Sequence, residues 1–356
     1  MNRKKIAIVL FNLGGPDRPE SIKPFLLNLF RDPAILRVPR LVRPFLAQLI
    51  ARRRVPAAKL IYAQLGGRSP LLEMTVAQAR AIEAALPDLE AKCFIAMRYW
   101  HPFSLQAARE VAAWNPDEIL LVPLYPQFST TSTGSSLTAW RAAAAQVGLV
   151  KPVTTLCCYY ADPGFIAATA APIRAAYDAA REKLDPAIPI RILYSAHGLP
   201  EIIIREGDPY QFQIESSAAA LTAALAIDGL DAKVSYQSRA TPQQWLTPST
   251  EDEITRAAED KVGLLIVPIA FVSEHSETLV ELDIEYRELA EERGVPFYAR
   301  VPTQNLDPGF IEALANIIRT AAARGPGLCS FAGARTCPVA HGDCPHAVAP
   351  QMQTAG

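Results

Sequence analysis

The sequence has no apolar run long enough to cross a membrane: the longest, from Leu264 to Val272, is nine residues, against about 18 for a spanning helix. Net charge is also nearly absent. The 35 basic residues against 36 acidic ones give −1, which removes any global attraction to nucleic acid. Cysteine is too scarce for a disulfide scaffold, with six in 356 residues, so a reducing, cytoplasmic setting is expected. The basic start before Ile6 mimics a signal peptide but has no small-residue cleavage site, and a first β-strand is expected there instead. A dinucleotide fingerprint is missing too. Gly14 and Gly15 are followed by Pro16, which removes a donor that a phosphate would need, and this speaks against nicotinamide chemistry.

Short β-branched runs alternate with longer amphipathic stretches. Strands are expected at 5–13, 93–99, 118–125, 153–160, 190–197, 233–239, 261–271 and 296–301. Helical patterns fall at 75–85, 104–114, 135–147, 164–182, 216–226, 250–261 and 276–293. This alternation predicts an α/β fold of right-handed βαβ units, with parallel sheets covered on both faces. The halves echo each other: IAIVLFNLGGP at 6–16 resembles IRILYSAHGLP at 190–200, and ILLVP at 119–123 resembles LLIVP at 264–268. The distance from Pro16 to Pro123 is 107 residues and from Pro200 to Pro268 is 68, so the first half carries 107 − 68 = 39 extra residues. These are assigned to an insertion at about 31–68. Seven arginines and one acid, Asp32, lie between Arg31 and Arg54, interspersed with Ile35, Leu36, Leu41, Phe45, Leu46, Leu49 and Ile50. Such a segment is either a lid that meets an anionic amphiphile or membrane surface, or a solvated helix pair packed on the first domain.

Ligands in open parallel sheets bind beyond the carboxyl ends of strands. Four unusual sequences fall at such ends: NLGGP at 12–16, RYWHP at 98–102, SAHGLP at 195–200 and FVSEHSE at 271–277. Two histidines, an Arg-Tyr pair and an acid cluster thus converge. Glu277, Glu281 and Glu285 repeat at i, i+4 and i+8, stacking carboxylates on one helical face despite their repulsion. A row of this kind suits passage of hydrated cations or removal of protons. The serine-rich loop at 129–136 is read as a helix cap in preference to a phosphate cradle.

At these residues the chain resembles the ferrochelatases. The segments LFNLGGP, LGGRSP (65–70), MRYWHP (97–102), PLYPQFSTTSTGSS (123–136), YSAHGLP, EGDPY (206–210) and VPIAFVSEHSETLVELDIEY (267–286) carry the likeness, in order, from about 5 to 320. The resemblance implies a chelatase-like fold of two similar Rossmann-like domains, each with a four-stranded parallel sheet. They would span 1–160, with the lid at 31–68, and 161–324, with porphyrin in the cleft between. It implies insertion of Fe2+ into protoporphyrin IX to give protohaem. Alternatives are a cobalt or coproporphyrin chelatase, or a haem or metal carrier without turnover. His197, His275 and Glu277 match the family's catalytic residues, with His197 and Glu277 as metal-contacting groups and Glu281 on the iron or proton path. Leu13, Tyr62, Ser69, Arg98 and Tyr99 would line the porphyrin wall. A neutral imidazole is the natural acceptor for the two pyrrole protons, and a few mixed ligands suit a metal that must be handed on. Expected partners are protoporphyrin IX and Fe2+ but no nucleic acid. The chain would be a monomer or homodimer, cytoplasmic or peripheral at the inner membrane face through 31–54.

The tail at 325–356 has another character, rich in Gly, Pro and Ala, with Cys329, Cys337 and Cys344 flanked by His341 and His346. Spacing alone permits zinc held by three cysteines and one histidine. Some ferrochelatases hold a [2Fe–2S] cluster with C-terminal cysteines and one internal cysteine, and the tail resembles that arrangement. The internal ligand of eukaryotic members lies in the PLYPQFS loop, where this chain has Thr130. The replacement is expected from the pair Cys157-Cys158, with Cys158 chosen because neighbouring strand residues face opposite ways.

Overall fold

A computed structural model describes residues 4–238 and 243–347. Its strands are β1 (Lys5–Asn12), β2 (Glu90–Met97), β3 (Glu118–Pro123), β4 (Val153–Leu156), β5 (Ile190–His197), β6 (Asp231–Gln237), β7 (Gly263–Pro268), β8 (Tyr298–Arg300) and β9 (Gly327–Cys329). The helices of the first half are α1 (Ile22–Arg31), α2 (Arg43–Gln64), α3 (Leu71–Ala84), α4 (Ser104–Trp114) and α5 (Ser135–Gln146). They continue with α6 (Pro163–Lys183), α7 (Glu201–Arg205), α8 (Tyr210–Leu225), α9 (Thr250–Glu259), α10 (Tyr286–Arg293) and α11 (Pro308–Arg324).

All strand pairs are parallel. The first sheet runs β2-β1-β3-β4-β9 and the second β6-β5-β7-β8. Removing β9 leaves the same order in both, so the sequence echo between 6–16 and 190–200 marks two equivalent central strands. Both are buried almost end to end, because helices cover both faces. The expected four-and-four split needs one correction. The tail adds a fifth strand, and its Gly327–Cys329 closes the edge that β4 would otherwise leave unpaired. β4, expected to reach 160, ends at Leu156. After Leu156 the chain turns away, and the Cys157 amide donates to the Cys329 carbonyl at 2.8 Å. Arg239, the expected end of β6, lies outside the described residues, as do residues 348–356 of the tail.

The halves share one core. Ile8, Leu10 and Leu120 of the first sheet and Ile192, Tyr194 and Leu265 of the second belong to a single apolar cluster, completed by α6, α8 and α11. Although α11 follows the second sheet, it packs on α3, β3 and β4 of the first half as well as on α6. Buried amides then fix the loops across the cleft. Gln78 donates to the carbonyls of Val272 and Asn305, both at 3.0 Å, and Gln127 to Ser217 at 3.1 Å and the Ile269 carbonyl at 3.2 Å. Amides buried at this depth must be paired, so they set one relative position of the two halves. Among the described residues no helix is long and apolar enough to cross a membrane.

Candidate functional site

Because β5 and β7 are adjacent and parallel, their carboxyl ends open on the same side. His197 ends β5, and the chain leaving β7 brings Glu277 back to it. The His197 Nδ1 and Glu277 Oε2 lie 2.9 Å apart, with the side chains 38% and 23% exposed. Burial alone would lower the histidine pKa, but the carboxylates of Glu277 and Glu281 outweigh it and raise the value. Glu277 is also pushed up by burial, yet His197 beside it takes its carboxyl well below the usual range. The pair is therefore charged at pH below that raised value, and above it the ring is neutral, with Nε2 as the nitrogen left to accept. Gln237, at the end of β6, donates to the same Glu277 oxygen at 3.3 Å, and Ser195 Oγ donates to the Gln237 side-chain Oε1 at 2.8 Å. Nothing in the sequence singled out Gln237, an ordinary polar residue at the end of a strand.

His275 is close to this pair but differently housed. It is buried, its ring edge-on to Phe271 at 4.4 Å, and its Nε2 has no hydrogen-bond partner among the described residues. Burial is the main cause of its lowered pKa, which leaves a neutral imidazole. Residues Glu277–Glu285 form a π-helix in place of the expected α-helix, which begins only at Tyr286. The Tyr286 amide accordingly reaches back five residues to the Glu281 carbonyl. Glu281 follows Glu277 and takes both Ser238 Oγ contacts, at 2.7 and 2.9 Å, and the Tyr286 hydroxyl at 3.1 Å. Burial first, and then the Glu277 charge, push its carboxyl up to about 7. Glu285 is exposed, so the carboxylate row runs from the cleft to the surface.

On the facing wall, Arg98 and Tyr99 follow β2 and converge on Asp32. Arg98 Nη2 and the Tyr99 hydroxyl each donate to Asp32 Oδ2 at 2.8 Å, Ser135 donates to the same oxygen, and Arg98 Nε donates to Ser135 at 2.6 Å. Asp32 and Tyr99 are fully buried. The lone acid of the arginine-rich insertion thus anchors its base, a role its isolation among cations could have signalled. Tyr99 is enclosed here, with its hydroxyl on Asp32. Leu13 occupies the position in the first half that His197 occupies in the second, and its carbonyl accepts from the Tyr99 amide at 2.9 Å. Tyr62, from α2, stands beside Ser276 and Glu277, and burial pushes its phenol up to about 12. Ser69 packs so closely on Gly15 that a Cβ there would lie 2.4 Å from its Oγ.

The cysteines form a separate, closed pocket. Cys157, Cys158, Cys329, Cys337 and Cys344 are all buried, around Phe128, Tyr160, Phe212 and Phe331. The Cys157 and Cys158 sulfurs are 3.5 Å apart, and Gln213 donates to the Cys337 sulfur at 3.1 Å. Hydrogen bonding within the 157–158 and 337–344 pairs raises Cys158 and Cys337 and lowers Cys157 and Cys344. His346 stands beside Cys157. Both vicinal cysteines face the pocket, because the chain has already left the strand at this point and alternation no longer applies. Five soft donors in an apolar enclosure fit a thiophilic metal or cluster by type. Among the described residues, no three His, Cys, Asp or Glu side chains yet stand in cage geometry. A further groove of about 820 Å³, lined by Phe94, His101 and Trp114, lies beside the edge strand β2 and includes no residue of either site.

Two like-ordered parallel sheets, with a histidine and a carboxylate joined beyond the strand ends, form an arrangement suited to a metal chelatase. Solved structures agree on the fold. SirB from Bacillus subtilis with Fe3+ matches with a TM-score of 0.54 and 11% identity, covering 90% of this chain and 96% of that one. The sirohydrochlorin chelatase SirB from Bacillus subtilis subspecies spizizenii in complex with cobalt matches at 0.52 and 10%. The ferrochelatase family model matches residues 5–322. A ferrochelatase of Caulobacter vibrioides is 52% identical over 96% of this chain and 97% of its own length, and one of Phenylobacterium zucineum is 52% identical over the same shares. The chain belongs to the ferrochelatase family.

Proposed function

We propose that this enzyme inserts Fe2+ into protoporphyrin IX, the step that forms protohaem, with the His197–Glu277 pair as its proton-accepting and metal-contacting centre. The hydrogen bond between them carries the reading. With Nδ1 bound to the carboxylate, Nε2 is the nitrogen available to a pyrrole proton or to the entering cation. The porphyrin loses two protons and gains one Fe2+, so the cleft must accept both. His197 takes the first, and Glu281, with a carboxyl near neutrality, receives the next and passes it towards Glu285. His275 supplies a neutral imidazole close by, while Leu13, Tyr62, Ser69 and Arg98 border the macrocycle. The test is anaerobic metallation followed by loss of porphyrin fluorescence. His197→Ala should lower kcat/KM by roughly 100-fold or more. Normal turnover in that variant would sink the mechanism, and faster metallation of coproporphyrin than of protoporphyrin would move the substrate.

The thiol pocket, in this reading, holds a [2Fe–2S] cluster through Cys158, Cys329, Cys337 and Cys344, with zinc as the alternative. When bound, such a group would tie the tail to the chain after β4. The insertion supplies a membrane-facing patch. Leu41, Phe45 and Leu60 are 85%, 80% and 72% exposed among Arg40, Arg52, Arg53 and Lys59. This combination suits reversible docking on an anionic bilayer, and hence a place at the inner face of the membrane. Vesicles containing phosphatidylserine should retain the protein at low salt. Retention unchanged in Phe45→Ser with Arg52→Gln would retire that part.

A further inference from the structure

Two sequence motifs take no part in the chemistry above: EGDPY at 206–210 and the serine-rich loop at 129–136. The structure brings them together. Asp208 is fully buried, and its carboxylate accepts from the Thr130 amide and hydroxyl, both at 2.7 Å, from Ser129 Oγ at 3.0 Å and from the Tyr210 amide at 2.9 Å. Around this fixed point the same turn touches three other parts of the molecule. Glu206 forms an ion pair with Arg37 of the insertion, and Arg37 also donates to Thr130 Oγ1 at 3.4 Å. The Gly207 carbonyl accepts from the amide of Asp343, the neighbour of Cys344, at 3.1 Å. Tyr210 donates its hydroxyl to the backbone carbonyl of His197 at 3.0 Å. Gly207 has φ +115°, and a Cβ there would lie 2.9 Å from the Gly342 nitrogen, so only glycine lets the tail seat so closely.

We infer that the 206–210 turn is a positioning element that couples the seating of the cysteine tail to closure of the lid over the cleft. With the tail seated, Gly342 and Asp343 back the turn at Gly207, and Glu206 is presented to Arg37. With the tail released, the turn keeps its Asp208 anchor but loses its backing, and the lid loses its latch. The Arg37–Glu206 pair is part-exposed and weak by itself. What makes it useful is the rigid mount. Coupling is reciprocal, so loosening the lid must also loosen the tail. Only the consequence for porphyrin rests on the proposed function: tail release should raise KM for porphyrin more than it lowers kcat, since His197 and Glu277 are not displaced.

Hydrogen–deuterium exchange on the full chain, as purified, tests the coupling without reference to turnover. Gly207→Ala should speed exchange in the tail at 337–347 and in the lid at 36–46, each by roughly fivefold or more. Cys344→Ser, which leaves the turn's backbone unstrained, should do the same, and Arg37→Gln should loosen both regions from the lid side. Exchange in α9, which touches neither, should not change. Tail loosening with lid exchange unaltered in both Gly207→Ala and Cys344→Ser overturns the proposal, and so does uniform acceleration that includes α9. A chain that shows this coupling but metallates no porphyrin would refute the proposed function alone.

Discussion

The cleft and the thiol pocket both gather titratable side chains, but on opposite terms. In the cleft the groups are of opposite sign and part-open: His197 and Glu277 keep 38% and 23% of their surface, and the carboxylate row ends in the exposed Glu285. In the pocket the groups are alike and shut in, with no cysteine of the five more than 6% exposed and aromatic rings around them. A cation that must be delivered needs water access and a few unlike ligands that let go. A resident metal needs a dry enclosure of like, soft ligands that do not. The two sites therefore answer to different perturbations.

The largest expected effect sharpens that contrast. If the pocket holds the metal or cluster proposed for it, Cys337→Ser combined with Cys344→Ser should empty it completely, because this removes the two thiols that pair within the tail. Metal content of the purified protein should fall to background, and the visible bands of a [2Fe–2S] cluster should vanish with it. Loss of a ligand bound only by the folded state should also lower Tm by roughly 5 °C or more. The position of the pH–rate limb set by His197 should not move. A colourless wild-type protein containing zinc would replace the cluster assignment but preserve the contrast. A shifted pH limb in the double variant would break it.

The cleft was legible in the sequence for a physical reason. His197 ends β5 and Glu277 lies on the chain leaving the adjacent parallel strand β7, and such ends share one side of a sheet, so β-periodicity and two odd motifs sufficed to bring them together. The π-helix at Glu277–Glu285 was not legible, since its i, i+4, i+8 carboxylates satisfy an α-helix equally well. The resemblance to the ferrochelatases puts Tyr99 on the porphyrin wall, and periodicity could not show that its hydroxyl donates to Asp32. β9 escaped notice because Gly327–Cys329 is too short for any periodicity, and pairing with β4 alone makes it a strand. The choice between Cys157 and Cys158 rested on strand alternation, a rule that lapses once β4 stops at Leu156.

The smaller effect is electrostatic and confined to the cleft. Glu277 and Glu281 raise the pKa of His197 against the cost of burial, so the rate should rise with pH through a value above 6.5 as the imidazole becomes neutral. In Glu277→Gln the nearer carboxylate is gone, burial dominates, and the limb should move to lower pH, with the plateau reduced roughly tenfold because the ring loses its orienting acceptor. Stability carries the opposite signature. The raised histidine contributes fully below its unfolded value of 6.5, and that contribution is lost as pH rises through its folded pKa. The depressed carboxylate contributes above its unfolded value of 4.5, and its share is lost as pH falls through its folded pKa. The pair is thus fully stabilising only between 4.5 and 6.5, and the Tm difference between wild type and Glu277→Gln should be widest there. A Tm difference flat across that range, or a rate limb that stays in place, would mean the two side chains titrate independently and the cleft works by some other pairing.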